Sequence, residues 1–234
     1  MRDPLVLAVA QPRCLAHDVV ANADAHAEAV RAAGARVLVF PEMSLTGYEF
    51  DAAPVDPGDS RLAPVVTACA ETGTLALVGA PVAGERGRRH IGVLAVDGDG
   101  ARVAYRKMFL GGSEPAHFAP GDGPAVVEVA GWRLGLAVCK DTGIPEHAAG
   151  TASLGIDAYL AGALDHAAEW GVQAERALRT AAAHRVWVAT ASFAGATGGG
   201  FTHAAGRSRI WAPDGRVVAE AGPEPDEVVR ATLA

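Results

Sequence analysis

Glu42, Lys107 and Cys139 share one kind of local setting, each at or just past the end of a short apolar run. Glu42 follows Val37-Leu38-Val39-Phe40-Pro41, Lys107 follows Val103-Ala104-Tyr105-Arg106, and Cys139 follows Leu134-Gly135-Leu136-Ala137-Val138. Such runs read as strands, and the carboxyl ends of strands are where α/β sheets gather their sites. A thiol becomes an effective nucleophile when a base takes its proton, and an ammonium can stabilise the oxyanion formed when it attacks a carbonyl. These residue types supply base, oxyanion stabiliser and nucleophile without a histidine. Each alone has a plainer reading: the cysteine as a small core residue, the glutamate as a helix cap, the lysine as an ordinary strand end. Their joint occurrence favours chemistry.

The segment after the cysteine, Lys140-Asp141-Thr142-Gly143-Ile144 and then Pro145-Glu146, reads as a sharp turn opening a helix. A helix N-terminus there is expected to lower the thiol pKa and to favour an oxyanion. The remaining elements alternate. Strands are predicted at 5–10, 36–40 and 75–80, with helices over 18–33 and 60–72 between them. The first helix should bury Val20, Ala23, Ala27 and Val30 and stop at Gly34. A hairpin follows at 91–105 around Asp97-Gly98-Asp99-Gly100. After a polar loop at 111–124 come strands at 125–129 and 132–138, a helix at 145–154, a strand at 158–160 and a helix at 166–185. That last helix carries Trp170, Ala174, Ala177 and Ala181 on one side. A strand at 186–192, a hairpin at 208–219 around Pro213-Asp214-Gly215, and a strand at 228–233 close the chain. This pattern is α/β, with two mixed sheets each covered by helices on its outer face. One domain spanning 1–234 is expected, with Gly198-Gly199-Gly200 as a mobile loop.

Half of the 234 residues are hydrophobic and 20% are charged, a globular composition with enough apolar side chains for a sizeable core. A net charge of -7 argues against non-specific nucleic-acid binding and a basic membrane patch. Cys14, Cys69 and Cys139 are far apart and odd in number, with no Cys/His cluster, so neither a disulfide framework nor a metal site is expected. The run Leu5–Ala10 is too short for a signal segment, and no apolar run reaches the roughly 20 residues of a membrane helix. A cytoplasmic location is expected. Neither a GxGxxG nor a GxxxxGK[ST] sequence occurs, so no nucleotide cofactor is implied.

The sequence resembles the nitrilase superfamily, the carbon–nitrogen hydrolases. The matching segments are Phe40-Pro41-Glu42-Met43-Ser44-Leu45-Thr46-Gly47-Tyr48, Tyr105-Arg106-Lys107-Met108-Phe109-Leu110, Glu114 with His117-Phe118-Ala119-Pro120-Gly121, Cys139-Lys140-Asp141 with Pro145-Glu146, and Gly206 to Gly215. They occur in family order over nearly the whole chain. The resemblance implies an α-β-β-α sandwich and hydrolysis of a non-peptide C–N bond in a small amide, without cofactor. In it Cys139 resembles the nucleophile, Glu42 the general base, Lys107 the stabiliser of the tetrahedral intermediate and Glu114 a second glutamate beside them. The backbone N–H of Lys140 would share the oxyanion. Homo-oligomers, commonly dimers, are implied as well. Nitrile or carbamoyl hydrolysis, acyl transfer, a Cys–His hydrolase on another fold, and a binding protein that keeps only the fold are the alternatives.

The chain also departs from the family pattern. Lys140 stands where an aromatic residue is frequent. It either turns outward, pairs with Asp141, or binds an anionic substrate. Arg179-Thr180-Ala181-Ala182-Ala183-His184-Arg185 lacks the Glu-Asn of a common pattern, and Ser192 replaces a frequent asparagine. Tyr48 and Trp170 are candidate pocket residues, Trp170 equally a core residue. His117, His147, His166 and His203 read as polar loop histidines, with pocket roles open for His147 and His203.

Overall fold

The computed structural model describes residues 2–234. Its first half alternates β1 (Leu5–Gln11), α1 (Val19–Ala33), β2 (Val37–Val39), α2 (Ala63–Thr72) and β3 (Leu75–Ala83), then runs antiparallel through β4 (Arg89–Asp97) and β5 (Gly100–Arg106). The second half opens with the hairpin β6 (Val126–Val129) and β7 (Trp132–Val138), followed by α3 (Pro145–Ala152), β8 (Ala158–Ala163), α4 (Trp170–His184) and β9 (Trp187–Ser192). The two-residue strands β10 (Ala194–Gly195) and β11 (Ala204–Ala205) flank Gly198-Gly199-Gly200, and β12 (Arg209–Trp211), β13 (Val217–Glu220) and β14 (Glu227–Leu233) end the chain.

These strands form two mixed six-stranded sheets, ordered β14-β1-β2-β3-β4-β5 and β13-β12-β9-β8-β7-β6. Strand alternation sorts the side chains into layers. Leu7, Val9, Val37, Val39 and Leu77 of one sheet meet Leu134, Leu136, Val138, Leu160 and Ile210 of the other in the core between the sheets. Their sequence neighbours Ala8, Leu38, Ala76 and Val78 face α1 and α2, and Ala137, Tyr159, Ala161 and Trp211 face α3 and α4. The result is the expected α-β-β-α sandwich.

Local signals set the helix ends. The Asp18 side chain accepts from the Ala21 N–H at 3.0 Å, and Gly34 ends α1 in the left-handed conformation. The buried face of α1 differs from the expected one by one position. Val19 is buried and Val20 is 53% exposed, because the helix also buries the polar Asn22 and His26. On α4 the buried residues are Gln173, Ala177, Thr180 and Ala181, and Trp170 lies outside the core.

His26 has a consequence for stability. Its Nε2 lies 2.9 Å from Ser44 Oγ, its Nδ1 2.6 Å from the Asn22 carbonyl, and its ring stacks on Phe40. Burial pushes its pKa down to about 4. The neutral imidazole therefore stabilises the fold fully above its unfolded pKa of about 6.5, and that contribution is lost as pH falls through about 4. A shift of this size corresponds to about 3 kcal/mol. Urea unfolding at pH 7.5 and pH 4 should show a steeper acid loss in the wild type than in His26→Gln. Equal losses in the two proteins would assign the acid sensitivity to other groups.

Candidate active site

Strand polarity brings the candidate groups to one end of the sandwich. β2 and β3 run parallel, and two antiparallel steps make β5 run the same way. Glu42 and Lys107 thus leave their sheet at the same edge, and Cys139 leaves the facing sheet immediately after β7. The Pro41–Met43 turn is wedged between the sheets. A Cβ on Gly79 of β3 would lie 2.2 Å from the Pro41 carbonyl oxygen, and one on Gly162 of β8 would lie 2.6 Å from that of Phe40. Only glycine at both positions lets the turn carrying Glu42 approach this closely.

Glu42, Lys107 and Glu114 are each about 1% exposed. Lys107 Nζ donates to Glu42 Oε1 and to Glu114 Oε1, both at 2.7 Å. Glu114, in a short 3-10 turn of the predicted loop, also accepts from the Tyr48 hydroxyl at 2.6 Å and from the Gly111 N–H at 2.7 Å. The second oxygen of Glu42 is buried and has no hydrogen-bond partner among the described residues. Cys139 lies close enough for the two groups to perturb one another. Its thiol donates to the Leu164 carbonyl at 3.3 Å.

Charge and burial set the resting protonation. Burial raises the Glu42 pKa to about 7; Lys107 opposes this and Glu114 adds to it. Burial acts to lower Lys107, but Glu42, Cys139 and Glu114 outweigh it and hold the ammonium above its ordinary pKa. The thiol is pushed well above its usual value, first by burial and then by Glu42. This reverses the expectation of a lowered thiol pKa: desolvation of the anion exceeds any help from the following turn. The resting pair is therefore a thiol beside a carboxylate that titrates near neutrality.

Cys139 begins a 3-10 turn over Cys139–Gly143 with a left-handed φ of 43°. A non-glycine residue is held there only by strong local restraint, costing about 1–3 kcal/mol. Asp141 supplies much of that restraint. Its Oδ2 accepts from the Val138 N–H at 2.9 Å and the Tyr105 hydroxyl at 2.7 Å, and its Oδ1 from the Phe109 N–H at 2.9 Å. Thr142 Oγ1 donates to the Cys139 carbonyl at 2.7 Å.

With its carboxylate so engaged, Asp141 forms no ion pair with Lys140, whose side chain is exposed and passes beside Gly111. Lys140 makes no ion pair with any described residue. The Trp170 indole lies under the guanidinium groups of Arg207 at 5.2 Å and Arg209 at 4.9 Å. His147 is not a loop residue but is buried in α3, bonded to two tyrosines.

Leu164 and Asp165 were not singled out in the sequence. β8 continues three residues beyond the predicted Leu160, which puts the Leu164 carbonyl at the thiol and a buried carboxyl next to it. Asp165 accepts from Gln173 Nε2 at 2.5 Å, and burial raises its pKa. A polar residue just past an apolar strand is the same signal that marked the other three positions. Among the described residues the one grouping with metal-ligand spacing, His17, Glu49 and Asp51, is largely exposed on the surface and does not include these groups.

The chain belongs to the carbon–nitrogen hydrolase family, whose model matches residues 6–234. It is a carbon–nitrogen hydrolase with the amidase-like fold of the nitrilase superfamily. A hydrolase encoded in the 5' region of pqqF in Pseudomonas protegens is 32% identical over 209 residues, 84% of this chain and 71% of that protein. An (R)-stereoselective amidase from Pseudomonas sp. is 28% identical over 193 residues, 80% of this chain and 69% of that protein. The amidase from Nesterenkonia sp. AN1, in a cysteine-to-alanine variant holding butyramide, superposes with a TM-score of 0.86 at 26% identity, covering 98% of this chain and 90% of that one. A further variant of that amidase, 25% identical with the same TM-score and coverage, carries the acetamide moiety of fluoroacetamide on its active-site cysteine. None of the described helices is long and apolar enough to cross a membrane.

Proposed function

We propose that this hydrolase releases ammonia or an amine from a small amide through a thioester on Cys139. The observation that carries the reading is the fully buried Lys107 ammonium, 2.7 Å from both Glu42 and Glu114, with the Cys139 thiol beside them. As Cys139 Sγ attacks the amide carbon, Glu42 takes the thiol proton, so no free thiolate has to be held in the apolar site. Lys107 Nζ and the Lys140 N–H, which has no intrahelical carbonyl in the first turn, stabilise the oxyanion. Collapse expels the amine with the proton from Glu42. Glu42 then draws a proton from water as the water oxygen attacks the thioester carbon; collapse breaks the C–S bond, releases the carboxylic acid, and Glu42 returns the proton to Cys139 Sγ. Glu114 fixes Lys107 from the other side, and Tyr48 fixes Glu114. Water is the one co-reactant that this balance uses. Butyramide in the Nesterenkonia amidase supports a small aliphatic amide as the substrate class.

Ammonia release from a panel of small amides, nitriles and carbamoyl compounds, with Cys139→Ala as control, tests the reading. Turnover of nitriles alone would replace it. The exposed Lys140, which pairs with no described residue, supports recognition of a substrate carboxylate. Lys140→Met should raise KM for carboxylate-bearing amides about tenfold, the worth of one charge-assisted hydrogen bond, while sparing neutral amides. Equal changes for both classes would remove Lys140 from recognition. Trp170, held by two arginines, remains a proposed pocket residue only through an open groove it shares with His203 and Arg207. The exposed Trp170, Val172 and Leu178 of α4 support association with a second copy. Three free cysteines support action in a reducing compartment such as the cytoplasm.

A further inference from the structure

His147 joins two hydroxyl groups inside the molecule. Its Nε2 lies 2.8 Å from the Tyr105 hydroxyl and its Nδ1 2.8 Å from the Tyr159 hydroxyl. The directions of these bonds follow from chemistry. Tyr105 spends its one proton on the Asp141 carboxylate at 2.7 Å, so the Tyr105 oxygen accepts from His147 Nε2–H. His147 Nδ1 is then the acceptor, and Tyr159 donates to it. The chain runs Tyr159 O–H to Nδ1, Nε2–H to Tyr105, and Tyr105 O–H to Asp141. All four side chains are at most 3% exposed. Burial lowers the imidazole pKa and keeps the neutral form, the only one that donates at one nitrogen and accepts at the other.

The end point of this hydrogen-bond run lies between the segments that carry Lys107 and Cys139. Asp141 takes the Phe109 N–H and the Tyr105 hydroxyl, which lie two residues on either side of Lys107, and also the Val138 N–H next to Cys139. One carboxylate thus clasps the lysine segment of one sheet to the cysteine turn of the other. The Tyr105 oxygen also receives the Met108 N–H at 3.3 Å, so the Nε2–H at 2.8 Å is its closer donor and holds the hydroxyl proton toward Asp141.

We propose that His147 is a positioning residue for the hydrolysis. By orienting Tyr105 it sets the distance between the Lys107 ammonium and the Cys139 thiol. The proposal rests on the amide-hydrolysis reading above, because it treats those two groups as reaction partners.

The test compares His147→Leu, His147→Gln and Tyr159→Phe, with kcat and KM for the best amide normalised to titrated Cys139, together with Tm and the rate of Cys139 alkylation by iodoacetamide. His147→Leu should lower kcat about tenfold or more with KM within about threefold, since small misplacements of reacting groups have effects of this size. Alkylation should slow as well, because a displaced Lys107 stabilises the thiolate less. His147→Gln, whose amide N–H still reaches Tyr105, should recover most of both rates. If His147→Leu does not fold, Tyr159→Phe serves in its place, with kcat reduced about threefold. Wild-type kcat and alkylation rate in folded His147→Leu, or in folded Tyr159→Phe where that variant stands in, would overturn the proposal, however low the Tm. So would His147→Gln that recovers neither rate. If the wild type turns over no amide, the functional reading fails, and the alkylation rates alone still decide whether His147 positions the thiol.

Discussion

Cys139→Ala is expected to abolish ammonia release from any amide the wild type accepts, by at least about 10⁴-fold in kcat, while leaving the fold intact. Loss of the proposed nucleophile would remove the whole covalent route, and losses of this order follow when members of a catalytic group are deleted. The side chain is small and half-buried, and its thiol donates to the Leu164 carbonyl, so the methyl group leaves only a minor gap. Relief of the left-handed φ is not involved, since alanine has the same backbone preference. The variant should therefore bind amide at near wild-type affinity, which isothermal titration can read. Ammonia release surviving in it would eliminate the proposed thioester mechanism.

Lys107→Met should damage both activity and stability. The ammonium lies between two carboxylates that are themselves buried, and removing it leaves Glu42 and Glu114 facing one another without a counter-charge. Breaking a buried charge set in this way costs about 3–5 kcal/mol, read as a lower urea midpoint. Part of that cost is avoided when a carboxyl takes up a proton, so Glu42, at about 7 in the wild type, should move higher. In the wild type kcat/KM should rise with pH through about 7, as the Glu42 carboxylate forms, and then level off. In Lys107→Met the residual rate should be reduced at least about 10²-fold, by loss of oxyanion stabilisation, and its rising limb should move to higher pH. An unchanged limb would mean that Lys107 does not hold the Glu42 charge.

Several features of the site were legible because they are local. A carboxylate, an ammonium or a thiol after an apolar run marks a strand end in any sequence window, and the Pro-Glu pair announces the helix behind Cys139. The Leu-Val alternation of β2 and the continuous apolar runs of β3 and β7 are likewise local, so the two sheets and their covering helices followed from period and turn residues. Tyr48 was picked out only as a neighbour in sequence, and its bond to Glu114 depends on a loop conformation that no window contains. Val20 and Trp170 were misplaced for the opposite reason. Apolar side chains at helical spacing are assigned inward by pattern, yet α1 turns its buried stripe to accommodate Asn22 and His26, and Trp170, at the first position of α4, stays exposed under Arg207 and Arg209.

The amino-acid sequence by itself determined which groups stand at strand ends, in what order, and hence the layered α/β architecture. Only the tertiary structure decided their protonation and their mutual distances. Whether Cys139 rests as thiol or thiolate depends on how much water the two sheets exclude, and that is a sum over packing contacts from the whole chain. Desolvation there outweighs the local turn that alone would have lowered the thiol pKa. The same holds for Asp141 and His147. Their residue types permit many partners, and the approach of β5 to the cysteine turn selects Tyr105 for both.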